Sequence, residues 1–254
     1  MIDVISADGL VILTINRPEK ANAIDVESKR TIADQINHAA SRDDVRAIVV
    51  TGKGNRHFCA GSDIGELADL DPERMIDMLH AERAMYVSAL RSPKPVIAAV
   101  NGNAFGAGLI MVICCDYAVA ADSARFAVPE MSLAASTPVE GLLLPFIIGL
   151  GWARALYYTG TQLDAGEALR LGIVHELASA ESCLERAIEA GSRLSFAPSA
   201  FTLQKQWMYR LVSSGSLDSV IEESVYSGAA QLASPAVAAA TRKFLFRRKN
   251  GTER

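Results

Sequence analysis

Residues 95–116, Pro-Val-Ile-Ala-Ala-Val-Asn-Gly-Asn-Ala-Phe-Gly-Ala-Gly-Leu-Ile-Met-Val-Ile-Cys-Cys-Asp, restrict the fold more than any other stretch of the chain. Val96–Val100 is a short apolar run of residues that suit a buried strand, and Asn101, Gly102 and Asn103 break it. After Gly106-Ala107-Gly108, residues 109–115 form a second unbroken apolar run. Small residues let backbone approach a ligand closely, and a helix starting there would aim its free N–H groups at that ligand. The stretch therefore reads as a strand, a tight turn and a helix N-terminus built around something electron-rich.

Such a turn needs a sheet around it. Residues 10–15 and 45–51 are strand-like, while 24–40 and 72–90 carry apolar residues at helical spacing, with Asp25 and Asp71 as caps. Residues 115–120 form a further strand, and 125–130 are extended because Val128 precedes a proline. Segments 139–148, 152–159 and 163–171 are helical, the last capped by Asp164 or Thr161, and 172–175 form a short strand. From Glu181 onward the pattern is almost wholly helical, broken at Pro198, 213–216 and Pro235, with a basic end at Arg247-Arg-Lys249. Strands alternating with helices imply a parallel sheet and the α/β class. The expected division is a strand–helix core over residues 1–190 and a helical C-terminal region over 191–254.

Half of the 254 residues are hydrophobic and 21% are charged, enough for a large core. A net charge of −4 argues against a general nucleic-acid binder, so an anionic ligand would be met by a local patch. Cys59, Cys114, Cys115 and Cys183 form no C-x-x-C pair and read as buried reduced thiols, which suits a cytoplasmic protein. No signal peptide is expected from Met1-Ile-Asp-Val, and the apolar runs are too short or interrupted to span a bilayer.

The chain carries no phosphate-loop, dinucleotide, zinc-protease or nucleophile-elbow motif, and its four histidines make no ligand-spaced pair, so no metal is expected. Two Gly/Ala turns of similar character remain: Ala60-Gly61-Ser62-Asp63 and Gly106-Ala107-Gly108. By spacing alone the plainer reading is two ordinary strand–helix turns. At neighbouring strand ends they would also aim two backbone N–H groups at one point, as an oxyanion hole requires.

Phe58-Cys-Ala-Gly-Ser-Asp-Ile64 resembles the F-x-A-G-[AS]-D-[IL] segment of the crotonase, or enoyl-CoA hydratase/isomerase, superfamily. Ala98-Ala-Val-Asn-Gly-Asn-Ala-Phe-Gly-Ala-Gly108, Cys115-Asp-Tyr and Phe126-Ala-Val-Pro-Glu130 resemble its central signature in order and spacing, and Asn16-Arg-Pro-Glu-Lys-Ala-Asn-Ala23 its N-terminal loop. The resemblance implies a crotonase-like spiral of ββα units, a helical C-terminal region used for a homotrimer or a dimer of trimers, and an acyl-CoA thioester as ligand. No cofactor is implied beyond the coenzyme A of the substrate. Carried over by position, the backbone N–H groups of Ser62 and Ala107, framed by Gly61 and Gly106, would hold the thioester oxygen. Ala60 and Ile64, with Asp63 between them, would border the adenine pocket, and Ala23 the pantetheine path. Asp63 and Asp116 would satisfy backbone donors near turns. Phe244, Arg247 and Lys249 resemble the segment that reaches the CoA nucleotide, although a solvated basic tail reads equally well.

Family hydratases add water with two glutamates. The position of the first is Ile110 here, flanked by Leu109 and Met111; the second is present as Glu130. Hydration would ask one carboxylate to do two tasks, whereas moving a double bond from C3 to C2 needs one group that takes a proton and returns it. Some Δ3-Δ2-enoyl-CoA isomerases of the superfamily carry this combination. Glu130 is therefore the expected base, with a pKa raised by partial burial. Glu140 is the rival acid, but with Thr137 and Pro138 it reads better as a capping box. The expected activity is enoyl-CoA isomerase; the alternatives are an enoyl-CoA hydratase or dehydratase, and a non-catalytic acyl-CoA-binding protein.

Overall fold

The computed structural model describes residues 1–67, 72–133, 138–194, 197–212, 225–226, 229, 233 and 235–249. The strands are β1 (Ile2–Ala7), β2 (Leu10–Ile15), β3 (Ala47–Gly52), β4 (His57–Cys59), β5 (Val96–Val100), β6 (Asn103–Phe105), β7 (Tyr117–Ala121), β8 (Arg125–Ala127), β9 (Leu163–Asp164) and β10 (Glu176–Ala178). The helices are α1 (Val26–Ser41), α2 (Ile64–Leu67), α3 (Pro72–Arg91), α4 (Ala107–Cys114), α5 (Pro138–Thr159), α6 (Ala165–Arg170), α7 (Cys183–Leu194), α8 (Pro198–Val212) and α9 (Pro235–Lys249).

Two sheets run side by side. The larger has the order β1-β2-β3-β5-β7-β10, antiparallel only between β1 and β2, and the smaller has the order β4-β6-β8-β9. The chain climbs by repeating one step: β3 to β4, β5 to β6, β7 to β8, each pair crossing from the large sheet to the small one before a helix returns. This is the α/β spiral of ββα units. Every residue of β3 and β5 is buried, as a parallel strand covered on both faces requires. Ile48, Val50, Ala98 and Val100 face the main core with α1, α3 and α4, whereas Ala47, Val49, Ile97 and Ala99 face α7. Small residues on α7 let it lie flat: a Cβ on Gly191 would touch Ala47 and Ile97 at 3.3 Å.

Beside the short strands β6 (Asn103–Phe105), which lies where the tight turn is expected, and β9 (Leu163–Asp164), which takes the first residues of the expected helix 163–171, three further features differ from the sequence expectation. Strand β1 is absent from it, because five of its six residues are polar or lie on the exposed edge; the signal that marks it is Asp8-Gly9, with φ of 51° and 75°, the turn type that suits a two-residue hairpin. Residues 172–175 are not a strand. The Ile173 N–H and Gly172 N–H close the end of α6 on the Ala168 and Leu169 carbonyls, and β10 begins only at Glu176. Helices 139–148 and 152–159 are joined as α5, broken at Gly149, whose φ of 76° and ψ of 153° are not helical. Asp71 and Thr137 lie outside the described residues.

Candidate active site

The two Gly-containing turns meet in space. Gly61 has φ +97°, and a Cβ there would lie 3.0 Å from the Phe105 carbonyl oxygen and 3.5 Å from the Ala107 nitrogen. A Cβ on Gly108 would lie 2.7 Å from the Cys59 Cβ. Glycine at both positions lets the turn after β4 sit on the N-terminus of α4. Ile24 holds Ser62 from the other side: the Ile24 N–H donates to the Gly61 carbonyl and the Asp63 N–H to the Ile24 carbonyl, both at 2.9 Å. Neither the Ser62 N–H nor the Ala107 N–H donates to an acceptor among the described residues. Ala107 is the first residue of α4, so its free amide carries the positive end of the helix dipole.

Glu130 stands beside this pair of amides. It opens a 3-10 turn, Glu130–Leu133, directly after β8, and the Gly106 N–H donates to the Ala127 carbonyl at 3.0 Å. The Glu130 Oε1 fills the space that a Cβ on Gly106 would need. Its Oε2 is buried and has no hydrogen-bond partner among the described residues. Burial pushes the carboxyl up to about 7; a bond from its own backbone N–H opposes this and the nearby charge of Glu82 adds to it. Ile110 lies within α4, fully buried between Leu109 and Met111, and no residue of α4 is ionisable except its terminal cysteine.

The N-terminal loop is tied into the same corner. The Arg17 guanidinium donates to the Ala23 carbonyl at 2.7 Å and to Asp63 at 2.9 Å, and the Lys20 ammonium reaches Asp63 at 2.8 Å. The Ala60 N–H donates to the Ala21 carbonyl at 3.1 Å. Ala23, Ala60, Gly61, Asp63 and Ile64 are thus brought together. Asp63 accepts from the Gly65 N–H, as a turn aspartate should, and also anchors two cations. Burial alone would raise its carboxyl, but Lys20 and Arg17 outweigh it and hold the group below its usual value. Asp116 accepts from the Val96 N–H at 2.9 Å. Glu140 lies on α5 and Phe244 and Lys249 on α9, but their side chains, with that of Arg247, lie outside the described residues.

Two charged residues absent from the sequence reading complete the corner. Lys29 of α1 is 1% exposed and Glu82 of α3 is 9% exposed, and they pair at 2.6 Å. The Ser62 hydroxyl accepts from Lys29 at 2.8 Å and donates to Glu82 at 3.0 Å. Both were detectable: Lys29 falls three residues before buried Ile32, and Glu82 midway between buried Met78 and Tyr86, each on the apolar face of its helix.

The family model for enoyl-CoA hydratase/isomerase matches residues 6–239. A crotonyl-CoA hydratase of Syntrophomonas wolfei is 33% identical over 186 residues, which is 73% of this chain and 72% of that protein. A carnitinyl-CoA dehydratase of Citrobacter koseri is 34% identical over 203 residues, 79% of this chain and 77% of that protein. The crystal structure of an enoyl-CoA hydratase/isomerase from Pseudoalteromonas atlantica superposes with a TM-score of 0.85 at 27% identity, covering 97% of both chains.

Proposed function

The chain belongs to the enoyl-CoA hydratase/isomerase family, and within it we propose that it moves the double bond of a 3-enoyl-CoA thioester to the 2-position, with Glu130 as the single acid–base group. The observation that carries this reading is one carboxyl, its buried Oε2 without a hydrogen-bond partner among the described residues, beside a pair of free amides and next to a helix α4 that is apolar at Ile110. In the proposed sequence, Glu130 takes a proton from C2. The electrons flow to the thioester oxygen, giving a dienolate whose oxyanion accepts hydrogen bonds from the Ser62 and Ala107 N–H groups. Glu130 then returns the same proton at C4, and the double bond settles between C2 and C3. A carboxyl titrating near 7 suits this task, since it takes and gives a proton with similar ease. Fixed amides at the oxyanion need no reorganisation as charge develops. In the same reading Ala23, Ala60 and Ile64 border the CoA moiety, and Phe244 and Lys249 reach towards its nucleotide.

A second reading is supported by the names of the relatives, a hydratase and a dehydratase, and makes Glu130 the group that handles water. One experiment separates the two. The purified protein is incubated with a 3-enoyl-CoA and with a 2-enoyl-CoA, and the products are followed by chromatography. Conversion of the first without hydration of the second is expected. Efficient hydration of the second would transfer the assignment to hydratase, and binding of both without turnover would leave acyl-CoA binding as the function.

A further inference from the structure

Buried ionic groups are costly, and a core position filled by an apolar side chain is often as stable or more so. The Lys29–Glu82 pair is therefore informative by its location. An ammonium has three protons to donate. Those of Lys29 are directed at the Glu82 carboxylate at 2.6 Å, the Ser62 hydroxyl at 2.8 Å and the Met78 sulfur at 3.1 Å. The Ser62 hydroxyl in turn donates to the same Glu82 oxygen, Oε2, at 3.0 Å, so the three side chains close a ring. Ser62 follows Gly61, a glycine at φ +97° whose lack of a Cβ puts little local restraint on the backbone of this turn. Ile24 grips the backbone on either side of Ser62, but the Ser62 N–H itself makes no bond among the described residues. The side chain is the remaining handle, and α1 and α3 hold it from two directions.

We propose that Lys29 and Glu82 are positioning residues which, through the Ser62 hydroxyl, hold the Ser62 N–H in the attitude that receives the thioester oxygen. This rests on the reading of Ser62 as an oxyanion donor. The ring touches Ser62 alone of the two donors, so its loss weakens one hydrogen bond to the oxygen and leaves the Ala107 amide in place.

The test uses butyryl-CoA labelled with 13C at the thioester carbonyl, and difference infrared spectroscopy of the bound ligand. Three proteins are compared: the parent, Ser62→Ala, and the double variant Lys29→Met/Glu82→Leu. The double variant removes both charges together, so neither is left buried alone to unfold the chain. The parent should lower the carbonyl stretch below its value in water. In both variants the stretch should return part of the way, and kcat with a 3-enoyl-CoA should fall on the order of tenfold, with KM changing by less than about threefold. A carbonyl frequency and kcat equal to the parent's in both variants would overturn the proposal and leave the ring a packing feature. A parent that leaves the stretch at its solution value would overturn the oxyanion reading itself, and the proposal with it.

Discussion

Glu130 is the residue on which the chemistry turns, and its environment makes two measurable demands. A base must be ionised to act, so kcat/KM should rise with pH through a midpoint near 7, the value to which burial lifts this carboxyl. Glu130→Gln should lower isomerisation by about a thousandfold or more while CoA thioesters still bind. The same burial has the opposite effect on stability. The carboxyl titrates at about 7 in the folded chain against an ordinary 4.5, so the fold holds that proton more tightly than the unfolded chain does. Its contribution is complete below about 4.5 and is lost as pH rises through 7. The Glu130→Gln variant should then be more stable than the parent at pH 8 by on the order of 3 kcal/mol, and no more stable at pH 4, which thermal melts at both values would record. Gly106 is the second sensitive position. With φ at +51° and the Glu130 Oε1 where a Cβ would go, Gly106→Ala should push the carboxylate aside and lower kcat by on the order of a hundredfold, with a smaller change in KM.

The elements divide into those whose ends are written in local sequence and those whose ends are not. Asp25 caps α1 by accepting from the Ser28 N–H at 2.8 Å, as its place before an apolar-periodic run predicts. Asp164 and Glu167 form a reciprocal capping box on α6, with bonds of 2.8 and 2.9 Å. Asp164→Ala should cost about 1 kcal/mol and lower the denaturation midpoint, since it removes the acceptor of the Glu167 N–H. Proline opens both α8 and α9, where the sequence shows breaks at Pro198 and Pro235. Short strands are the opposite case. β4, β6 and β8 have three residues each and no alternation long enough to register as strands; they exist because each pairs with its neighbour in the next turn of the spiral.

At the scale of the whole molecule, the helical C-terminus is fastened to the core by charge as well as by apolar contact. Lys205 of α8 is 3% exposed and donates to the Ala89 carbonyl at 2.8 Å and to Asp116 at 2.7 Å. Burial raises the Asp116 carboxyl and Lys205 opposes that rise, so the pair survives only together. Lys205→Met would leave Asp116 buried with the Val96 N–H as its remaining partner, and should cost roughly 3–5 kcal/mol in chemical denaturation. Phe146, Trp207 and Phe246 are each more than half exposed in the single chain, more apolar surface than an isolated subunit needs. Together with the trimer or dimer of trimers that the family resemblance implies, this predicts a light-scattering mass three or six times the 27.1 kDa of one chain; a monomer at micromolar concentration would contradict it.

The α/β class, the strand–turn–helix at residues 95–116, the caps at Asp25 and Asp164, and the candidate site residues Ser62, Ala107 and Glu130 could all be read from the chain alone. Each depends on a few neighbouring residues or on a motif of fixed spacing. Tertiary structure alone decided that the turns at Gly61 and Gly106 meet, and that the Glu130 Oε2 is buried beside them with no hydrogen-bond partner among the described residues. It also decided that Lys29 and Glu82, 53 residues apart in sequence, close on one serine hydroxyl. The reason is physical: periodicity places a side chain on a face, but its partners, its burial and its proton affinity are set by segments distant in sequence that packing brings against it.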